Sequence, residues 1–295
     1  MEEGIAAYID EKRQLIDREL ANRLPPDHER PAALHTAMRY SVLAGGKRLR
    51  PILTMAAAEA AGASPMVALV PALALEVLHT YTLIHDDLPC MDDDDLRRGR
   101  PTLHKAYGEA TALLAGDALL TIAFEWLATV QAPPPYAANQ LSLELATAAG
   151  SRGVIGGQME DIVNTGKSAS ESLVRYIHSH KTGLLILAAV RMGAISAGAD
   201  KKTLAAITDY GTDAGLAFQI ADDVLNATSS PDQLGKPAGS DKTKGKITWV
   251  SVHGLEASRL EAKRLTDHAI DSLKDLPGKT GPLEAIARHL ANRSK

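Results

Sequence analysis

Six carboxylates lie within ten residues in the segment HDDLPCMDDDD, residues 85–95. They are Asp86, Asp87 and the run from Asp92 to Asp95. Like charges at this spacing repel one another unless cations neutralise them. Proteins bind hard cations such as Mg²⁺ through a few carboxylates together with substrate phosphates. The segment is therefore either a solvated acidic loop or a magnesium site.

A second acidic segment favours the magnesium site. In FQIADDVLN, residues 218–226, an Asp pair again follows apolar residues. The spacing i, i+3, i+4 and i+7 places the polar side chains on one helix face; these are Gln219, Asp222, Asp223 and Asn226. The apolar residues between them indicate a mostly buried helix, and buried carboxylates need partners.

The predicted backbone around the first segment also indicates a cation. Asp86 and Asp87 follow an apolar helix, residues 72–84, at the end where the helix dipole disfavours negative charge. Pro89 cannot continue a regular helix. We therefore expect the chain to bulge there and to bring Asp92 back toward Asp86.

Basic residues are clustered in four segments: GGKRLRP (45–51), the Arg pair 97–98, HKTG (180–183) and the Gly/Pro/Lys-rich stretch 229–246. Arg binds phosphate through a bidentate fork and Lys binds it as a point charge. Each cluster alone could be solvated surface. Together with two acidic segments, they predict two phosphorylated substrates held over an apolar cavity.

The composition excludes several classes of protein. The chain has 295 residues, of which 45% are hydrophobic and 23% charged, as in globular proteins. A net charge of −4 argues against nucleic acid as a partner. One cysteine allows no intrachain disulfide and fits a reducing cytosol. The N-terminus lacks the apolar core of a signal peptide, and the longest uncharged apolar stretch, residues 66–75, is short for a membrane span. We expect a cytoplasmic protein without an integral membrane segment.

The elements that must position these residues are helices. Apolar residues recur at helical spacing almost throughout, as in Leu34, Met38 and Val42, and no useful alternating pattern predicts strands. Loops are predicted at 24–31, 131–136 and 229–246. Ser64-Pro65 is typical of a helix start, and Pro71 either lies inside that helix or restarts it. We expect one all-α domain spanning residues 1–295.

The order of the motifs resembles the trans-isoprenyl diphosphate synthases, most closely the bacterial farnesyl diphosphate synthases. The motifs are GGKRLRP, LHTYTLIHDDLPCMDDDDLRRGRPT, LLAGDALL, GGQMED, HKTG and FQIADDVLN, which span nearly the whole chain. The resemblance implies a single-domain all-α isoprenoid synthase fold around a deep central cavity, a homodimer, and Mg²⁺ as cofactor. It implies a prenyltransferase that condenses isopentenyl diphosphate with dimethylallyl or geranyl diphosphate to give farnesyl diphosphate.

The resemblance also implies roles for individual residues. Mg²⁺ would be bound by Asp86, Asp87, Asp92, Asp222 and Asp223. Isopentenyl diphosphate would be bound by Lys47, Arg50, His79 and Arg98. The allylic diphosphate would be bound by Arg97, Lys181, Thr182, Gln219, Lys236 and Lys246. The catalytic residues would be Asp86, Asp87, Lys181 and Asp222. Arg293 and Lys295 would help to close over isopentenyl diphosphate.

Other polar residues are expected near the site. His79 lies seven residues before Asp86, on nearly the same helix face, which favours a site role over that of an ordinary core histidine. His85 and His104 are expected to be structural. Gln158 and Asp161 share a helix face, and we expect them to orient the cations or the diphosphate from behind the direct ligands.

Product length is predicted to depend on Tyr81, five residues before Asp86 and about 7.5 Å down the helix at ~1.5 Å per residue. The resemblance implies that an aromatic residue here, with Thr82 beside it and a two-residue insertion in DDLPCMD, limits the product to fifteen carbons. A smaller residue permits twenty. Tyr81 could instead be an ordinary core residue.

The chain departs from the family pattern at Asn226, where the family usually has Asp, and in residues 247–254, which lack the usual Tyr-Pro. Asn keeps an oxygen ligand but loses a charge, so we expect activity to survive with weaker Mg²⁺ affinity. Three alternatives stay open. A geranylgeranyl diphosphate synthase would differ in product length. A terpene cyclase would not need GGKRLRP and His79 for a second diphosphate, and a non-catalytic partner subunit should have lost some ligands.

Overall fold

The computed structural model describes residues 3–168, 170–228 and 246–291, and within these ranges the protein is almost entirely helical. The helices are α1 (Glu3–Arg23), α2 (Ala32–Val42), α3 (Leu49–Ala60), α4 (Leu69–Asp86), α5 (Leu103–Tyr107), α6 (Glu109–Ala128), α7 (Gln140–Ala149), α8 (Val154–Asn164), α9 (Glu171–Ile177), α10 (Leu184–Ser196), α11 (Lys201–Thr228), α12 (Trp249–His253), α13 (Leu255–Asp271) and α14 (Gly281–Ala291). A 3₁₀ turn covers Pro65–Ala68, a π-helix covers His178–Gly183, and strands β1 (Leu96–Arg97) and β2 (Arg100–Pro101) form an antiparallel hairpin. The prediction of an all-α fold is confirmed.

The described residues group into two compact units. The first unit comprises residues 3–52 and 69–131, and the second comprises residues 53–68 and 132–291. The division falls inside α3, so neither unit is a continuous piece of chain. The expectation of one domain over residues 1–295 stays a prediction.

The first unit is organised around α4, which is apolar on nearly every face and is buried along most of its length. It packs chiefly against α6. The two helices approach closely at Gly116, where an added Cβ would lie 2.2 Å from Nε2 of His85. The same nitrogen lies 3.1 Å from the carbonyl oxygen of Leu113, a hydrogen bond that fits the structural role expected of His85.

The second unit is organised around α11, which packs against α10 and α13. Tyr210 is fully buried, and its hydroxyl donates to the carbonyl of Leu283 at 2.9 Å, which fastens α14 to α11. Arg191 on α10 forms a two-pronged ion pair with Glu144 on α7, at 2.8 Å for each bond. Buried polar groups in this unit are therefore used to join helices.

The loops predicted at 24–31 and 131–136 are found, because α1 ends at Arg23 and no helix covers residues 131–136. Ser64 does cap a helical turn, since its hydroxyl oxygen accepts from the amide of Met66 at 3.3 Å. That turn is a 3₁₀ turn, and Pro71 lies in the first turn of α4. Of the two alternatives for Pro71, the structure therefore shows a helix that starts anew there. The third predicted loop, except for Lys246, lies outside the described residues.

Two helical stretches, Pro65–Asp86 and Glu109–Ala128, are long and apolar enough to cross a membrane by length and composition alone. In the structure, 72% and 44% of their most apolar windows are buried inside the protein. The core helix of a soluble protein passes the same test, so this property gives only weak support for a membrane span.

Candidate active site

The first acidic motif folds as the sequence predicts. After α4 ends at Asp86, the chain turns sharply around Pro89, and the amide of Asp92 donates to the carbonyl of Asp86 at 2.9 Å. The expected bulge that returns Asp92 to Asp86 is thus confirmed. Both side chains are half-buried, and Cys90, inside the bend, is exposed.

Asp87 differs from its neighbour because it is buried, with 3% of its surface exposed. Arg97 holds it with a bidentate pair, Nε to Oδ2 at 2.7 Å and Nη2 to Oδ1 at 2.6 Å. Burial alone would lower the pKa of the Arg97 guanidinium, but the bonds and charge of Asp87 outweigh burial and raise it. A predicted metal ligand and a predicted diphosphate ligand are therefore paired with each other.

The hairpin β1–β2 positions both arginines of the pair 97–98. Its turn residues, Arg98 and Gly99, have φ angles of +53° and +75°, as required by the tight turns that join antiparallel strands. Arg98 is exposed, and its Nη1 donates to the carbonyl of Gly45. Its guanidinium lies against Gly46, where a Cβ would be 2.6 Å from Nη1. Arg98 therefore contacts the GGKRLRP loop, which carries Lys47 and Arg50, two residues predicted to bind the same diphosphate.

Arg48 fixes the GGKRLRP loop to the first unit, a role that the sequence analysis did not identify. The side chain is buried and φ is +48°. Its guanidinium donates to Asp17 on α1 at 2.7 Å, to Glu76 on α4 at 2.8 Å and to the carbonyl of Val42 on α2 at 2.7 Å. Three helices thus hold the loop through one buried cation.

The loop presents its other two basic residues differently. Lys47 is exposed, whereas Arg50 is half-buried and its Nη1 lies 3.0 Å from Nε2 of His79. The structure thus brings together Arg50 and His79, two residues predicted to bind the same substrate. Among the described non-glycine residues, positive φ angles occur at Arg48, Asp93 and Arg98, all next to predicted ligands.

His79 is neutral in this environment. Burial, followed by the charges of Arg50, Arg98, Arg97 and Arg48, holds its pKa well below the ordinary value. Since Arg50 can only donate, Nε2 of His79 must accept, which leaves the proton on Nδ1, facing the hydroxyl of Thr82 at 3.4 Å. His79 therefore orients Arg50 rather than adding a positive charge.

Tyr81 and Thr82 occupy different environments on α4. Tyr81 is 6% exposed, and its ring packs edge-on against His85 with centroids 5.4 Å apart. Thr82 is half-buried, and its hydroxyl donates to the carbonyl of His79 at 2.8 Å. Tyr81 thus belongs to the buried interior, whereas Thr82 supports the histidine.

The first unit also contains a pocket of about 440 Å³, counting its open mouth, between α2, α4 and the hairpin. Arg97 and Arg98 line it together with Asp87, but the other predicted ligands in this unit do not. Apolar residues such as Leu83 make up much of the remaining wall. Of the residues predicted to bind isopentenyl diphosphate, Arg98 thus lines this pocket.

In the second acidic motif, which lies in the second unit, the two Asp side chains again differ in burial. Asp222 is half-buried, whereas Asp223 is 4% exposed. Asp223 accepts hydrogen bonds from Nε2 of His178 at 2.7 Å, the amide of Trp249 at 2.6 Å and Nε2 of Gln219 at 3.3 Å. The contact with Gln219 fits the predicted helix face, but the burial of Asp223 fits a structural partner better than the predicted metal ligand.

The HKTG motif lies in the π-helix His178–Gly183, which the sequence analysis did not predict. Nζ of Lys181 donates to Asp161 on α8 at 2.6 Å, and the hydroxyl of Thr182 donates to Oε1 of Gln219 on α11 at 2.8 Å. A Cβ added to Gly157 would lie 2.2 Å from the amide nitrogen of Lys181, so only glycine allows α8 this close. Two adjacent predicted ligands are thereby fixed to two different helices.

The remaining predicted residues have simpler outcomes. Gln158 has its side-chain oxygen buried without a hydrogen-bond partner. His104 is buried beside Thr102, 3.2 Å from its hydroxyl, as expected of a structural residue. Lys246 is half-buried, three residues before Trp249. The other predicted basic residues of the C-terminal part, Lys236, Lys242, Lys244, Arg293 and Lys295, lie outside the described residues.

The half-buried carboxylates are oxygen donors that could hold a divalent metal only together with other ligands. In the described ranges, no group of three or more His, Cys, Asp or Glu side chains is arranged to hold a metal. The first unit instead offers Asp86 beside Asp92, and the second offers Asp222. Mg²⁺ commonly takes one or two carboxylates and completes its coordination with water and substrate phosphates.

Comparisons with known proteins identify the family to which the chain belongs. A family model described as polyprenyl synthetase matches residues 31–277. The chain is 43% identical over 297 residues to the farnesyl diphosphate synthase of Escherichia coli (strain K12), covering 99% of this chain and 98% of that protein. It is 42% identical over 294 residues to the large subunit 1 of the chloroplastic heterodimeric geranylgeranyl pyrophosphate synthase of Arabidopsis thaliana, covering 97% and 79%. The fold matches the crystal structure of geranylgeranyl pyrophosphate synthetase from Pyrococcus horikoshii Ot3 with a TM-score of 0.89 and 32% identity, over 99% of both chains.

Proposed function

Because the chain belongs to the polyprenyl synthetase family and is a short-chain trans-prenyl diphosphate synthase, we propose that it makes farnesyl diphosphate. The substrates would be isopentenyl diphosphate and dimethylallyl or geranyl diphosphate. One observation carries the proposal: α4 presents His79 with Arg50 near its middle and Asp86 with Asp92 at its end. The two groups are seven residues apart, about 10 Å along a helix. This spacing supports two diphosphates, one held by cations and the other through metal.

The residues divide into two binding sets. For isopentenyl diphosphate, the set is Lys47, Arg50 and Arg98, with His79 orienting Arg50 and Arg48 holding the loop. For the allylic diphosphate, the described set is Lys181, Thr182, Gln219, Arg97 and Lys246. Asp86, Asp92 and Asp222 would hold Mg²⁺, which when bound draws negative charge onto the leaving diphosphate.

The proposed reaction breaks the carbon–oxygen bond of the allylic substrate, and the diphosphate leaves with the bonding electrons. The double bond of isopentenyl diphosphate then supplies the electrons of the new carbon–carbon bond, and a proton is lost to the departed diphosphate. The basic side chains contribute by stabilising the charge of the leaving group in fixed positions. Arg97 would exchange its pairing with Asp87 for the substrate.

The length of the product is the finer part of the proposal. The relatives include farnesyl diphosphate synthases and geranylgeranyl diphosphate synthases at similar identity, so a twenty-carbon product is the second candidate. The buried aromatic ring of Tyr81, below the first acidic motif on α4, supports a fifteen-carbon limit. A cytoplasmic homodimer also belongs to the proposal, and light scattering after gel filtration would test the dimer.

The decisive experiment incubates the purified protein with MgCl₂, isopentenyl diphosphate and each allylic diphosphate, followed by chromatography of the products. We expect farnesyl diphosphate from the natural chain and longer products from Tyr81→Ala, because the ring no longer blocks the growing chain. Tyr107→Ala, which removes an exposed aromatic ring on α5, is the matched control and should leave product length unchanged. An unaltered product from Tyr81→Ala would exclude the limit, and no product at all from the natural chain would exclude the function.

A further inference from the structure

Three segments of the second unit meet at one buried carboxylate, that of Asp223. One is the π-helix, which begins with His178; the second is α11 itself, through Gln219; the third is the first turn of α12, through the amide of Trp249. The π-helix carries the predicted ligands Lys181 and Thr182, Gln219 is itself a predicted ligand, and the predicted ligand Lys246 lies three residues before Trp249. We propose that Asp223 is a positioning residue that fixes these three segments together, and not a metal ligand. The inference rests on the proposed function.

The hydrogen bonds occupy both oxygens of Asp223. Oδ2 accepts from His178 at 2.7 Å and from the Trp249 amide at 2.6 Å, and Oδ1 accepts from Gln219 at 3.3 Å. A buried carboxylate is tolerated only when such donors satisfy it. These three bonds use most of the acceptor capacity of the carboxylate, which is about four lone-pair sites, so little is left for a metal.

Trp249 is held by its ring as well as by its amide. The side chain is 2% exposed in a cluster with Val174, Ile220 and Leu265. The guanidinium of Arg175 lies 5.0 Å from the centroid of the Trp249 ring, and the ring of His253 stacks on Trp249 with centroids 4.8 Å apart. Lys246 is three residues earlier, so its backbone lies within about 10 Å of this anchor, given a maximum of ~3.5 Å per residue.

The same carboxylate influences the π-helix by two routes. His178 donates to it directly, three residues before Lys181. Thr182 donates to Gln219, and Gln219 in turn donates to Asp223, which makes a continuous chain of hydrogen bonds. The positions of Lys181, Thr182 and Lys246 therefore all depend on Asp223.

The first experiment measures whether Trp249 stays seated. The chain has two tryptophans, so the background Trp126→Phe leaves Trp249 as the single indole fluorophore. In Asp223→Asn, the NH₂ group of Asn faces N–H donors and cannot accept from them, so Trp249 should be held less firmly and become more exposed to water. We therefore expect a red shift of Trp249 emission and easier quenching by iodide. Asp222→Asn is the matched control: it removes the same charge one residue earlier and should leave the emission unchanged. Equal emission from Asp223→Asn and the natural residue would overturn the proposal.

The second experiment measures kinetics of the full-length enzyme. Asp223→Asn should raise KM for the allylic diphosphate about tenfold, as for one lost charge-assisted hydrogen bond. In Asp223→Asn, the KM for isopentenyl diphosphate and the Mg²⁺ concentration for half-maximal rate should change less than twofold. Asp222→Asn should instead raise the Mg²⁺ concentration for half-maximal rate. A rise in the Mg²⁺ requirement of Asp223→Asn equal to that of Asp222→Asn would make Asp223 a metal ligand.

A second pair of variants keeps the proposal testable if Asp223→Asn does not fold. His178→Gln retains a donor near the position of Nε2 and should keep KM near that of the natural enzyme. His178→Leu removes the donor and should reproduce the KM effect and the emission shift. Identical behaviour of both would contradict the proposal. If the natural chain forms no prenyl product, the proposed function fails, and the Trp249 emission alone then decides whether Asp223 positions the segments.

Discussion

The two acidic motifs bury the same member of their Asp pair by different means. Asp87 and Asp223 are 3% and 4% exposed, whereas Asp86 and Asp222, which precede them, are half-buried. The partner of Asp87 is the guanidinium of Arg97. The partners of Asp223 are an imidazole, a backbone amide and a side-chain amide. The carboxylate of Asp87 is thus paired with a cation, whereas the carboxylate of Asp223 accepts hydrogen bonds from donors that belong to the packed interior.

This difference separates an exchangeable contact from a permanent one. A guanidinium paired with a carboxylate can pair with a diphosphate instead, since both anions accept its bidentate fork. The amide of Trp249 and the ring of His178 cannot leave Asp223 without exposing buried surface. We infer that the first motif changes partners when substrate binds and that the second keeps its arrangement.

Removing the half-buried Asp should have the largest effect. Asp86→Ala and Asp222→Ala should each lower kcat/KM by about 10²–10³-fold, since each removes a charge that acts on the leaving group through metal. Steady-state kinetics over a series of MgCl₂ concentrations would check this, with Asp117→Ala on α6 as a control carboxylate. If turnover and metal dependence were unchanged in both variants, neither acidic motif would be a metal-binding site.

The buried members should differ from each other in stability. Asp87→Asn leaves the partly buried Arg97 without its carboxylate and should lower the free energy of unfolding by about 3 kcal/mol. Asp223→Asn keeps a side chain of the same size that can still accept from one of the donors, and it should cost about 1–2 kcal/mol. Urea titrations followed by circular dichroism would compare the two variants. A larger loss from Asp223→Asn than from Asp87→Asn would reverse the expected order.

The smallest effect is a pH dependence that belongs to the first unit. His79 has a lowered pKa in the folded protein, so below about pH 6.5 the unfolded chain binds a proton that the folded chain does not. The natural protein should therefore lose about 1 kcal/mol of stability relative to His79→Gln between about pH 7.5 and 5.5. Urea titrations at the two pH values would measure it. A gap between the two proteins that does not change with pH would mean that folding does not lower the pKa of His79.

The sequence predicted features that depend on local spacing. Pro89 has no amide hydrogen, so the bend that brings Asp92 to Asp86 follows from its position alone. The helical spacing of His79 and Asp86 likewise placed both on one helix. These features need no knowledge of distant residues.

The features that the sequence did not predict depend on distant partners. Nothing in DD distinguishes the first Asp from the second, because the amide that donates to Asp223 lies 26 residues away, at Trp249. The π-helix was missed because Ile177 and Leu184 are seven residues apart, which also fits an α-helix. Arg48 looks like any other basic residue of its loop until α1 and α4 supply Asp17 and Glu76.

The exposed thiol of Cys90 makes the first motif accessible to spectroscopy. It is the one cysteine of the sequence and lies inside the bend that joins Asp86 to Asp92. A maleimide dye or a nitroxide can therefore be attached there without first removing other thiols. Such a label would report, in real time and in the otherwise natural protein, how the acid-rich bend responds when magnesium and each diphosphate are added.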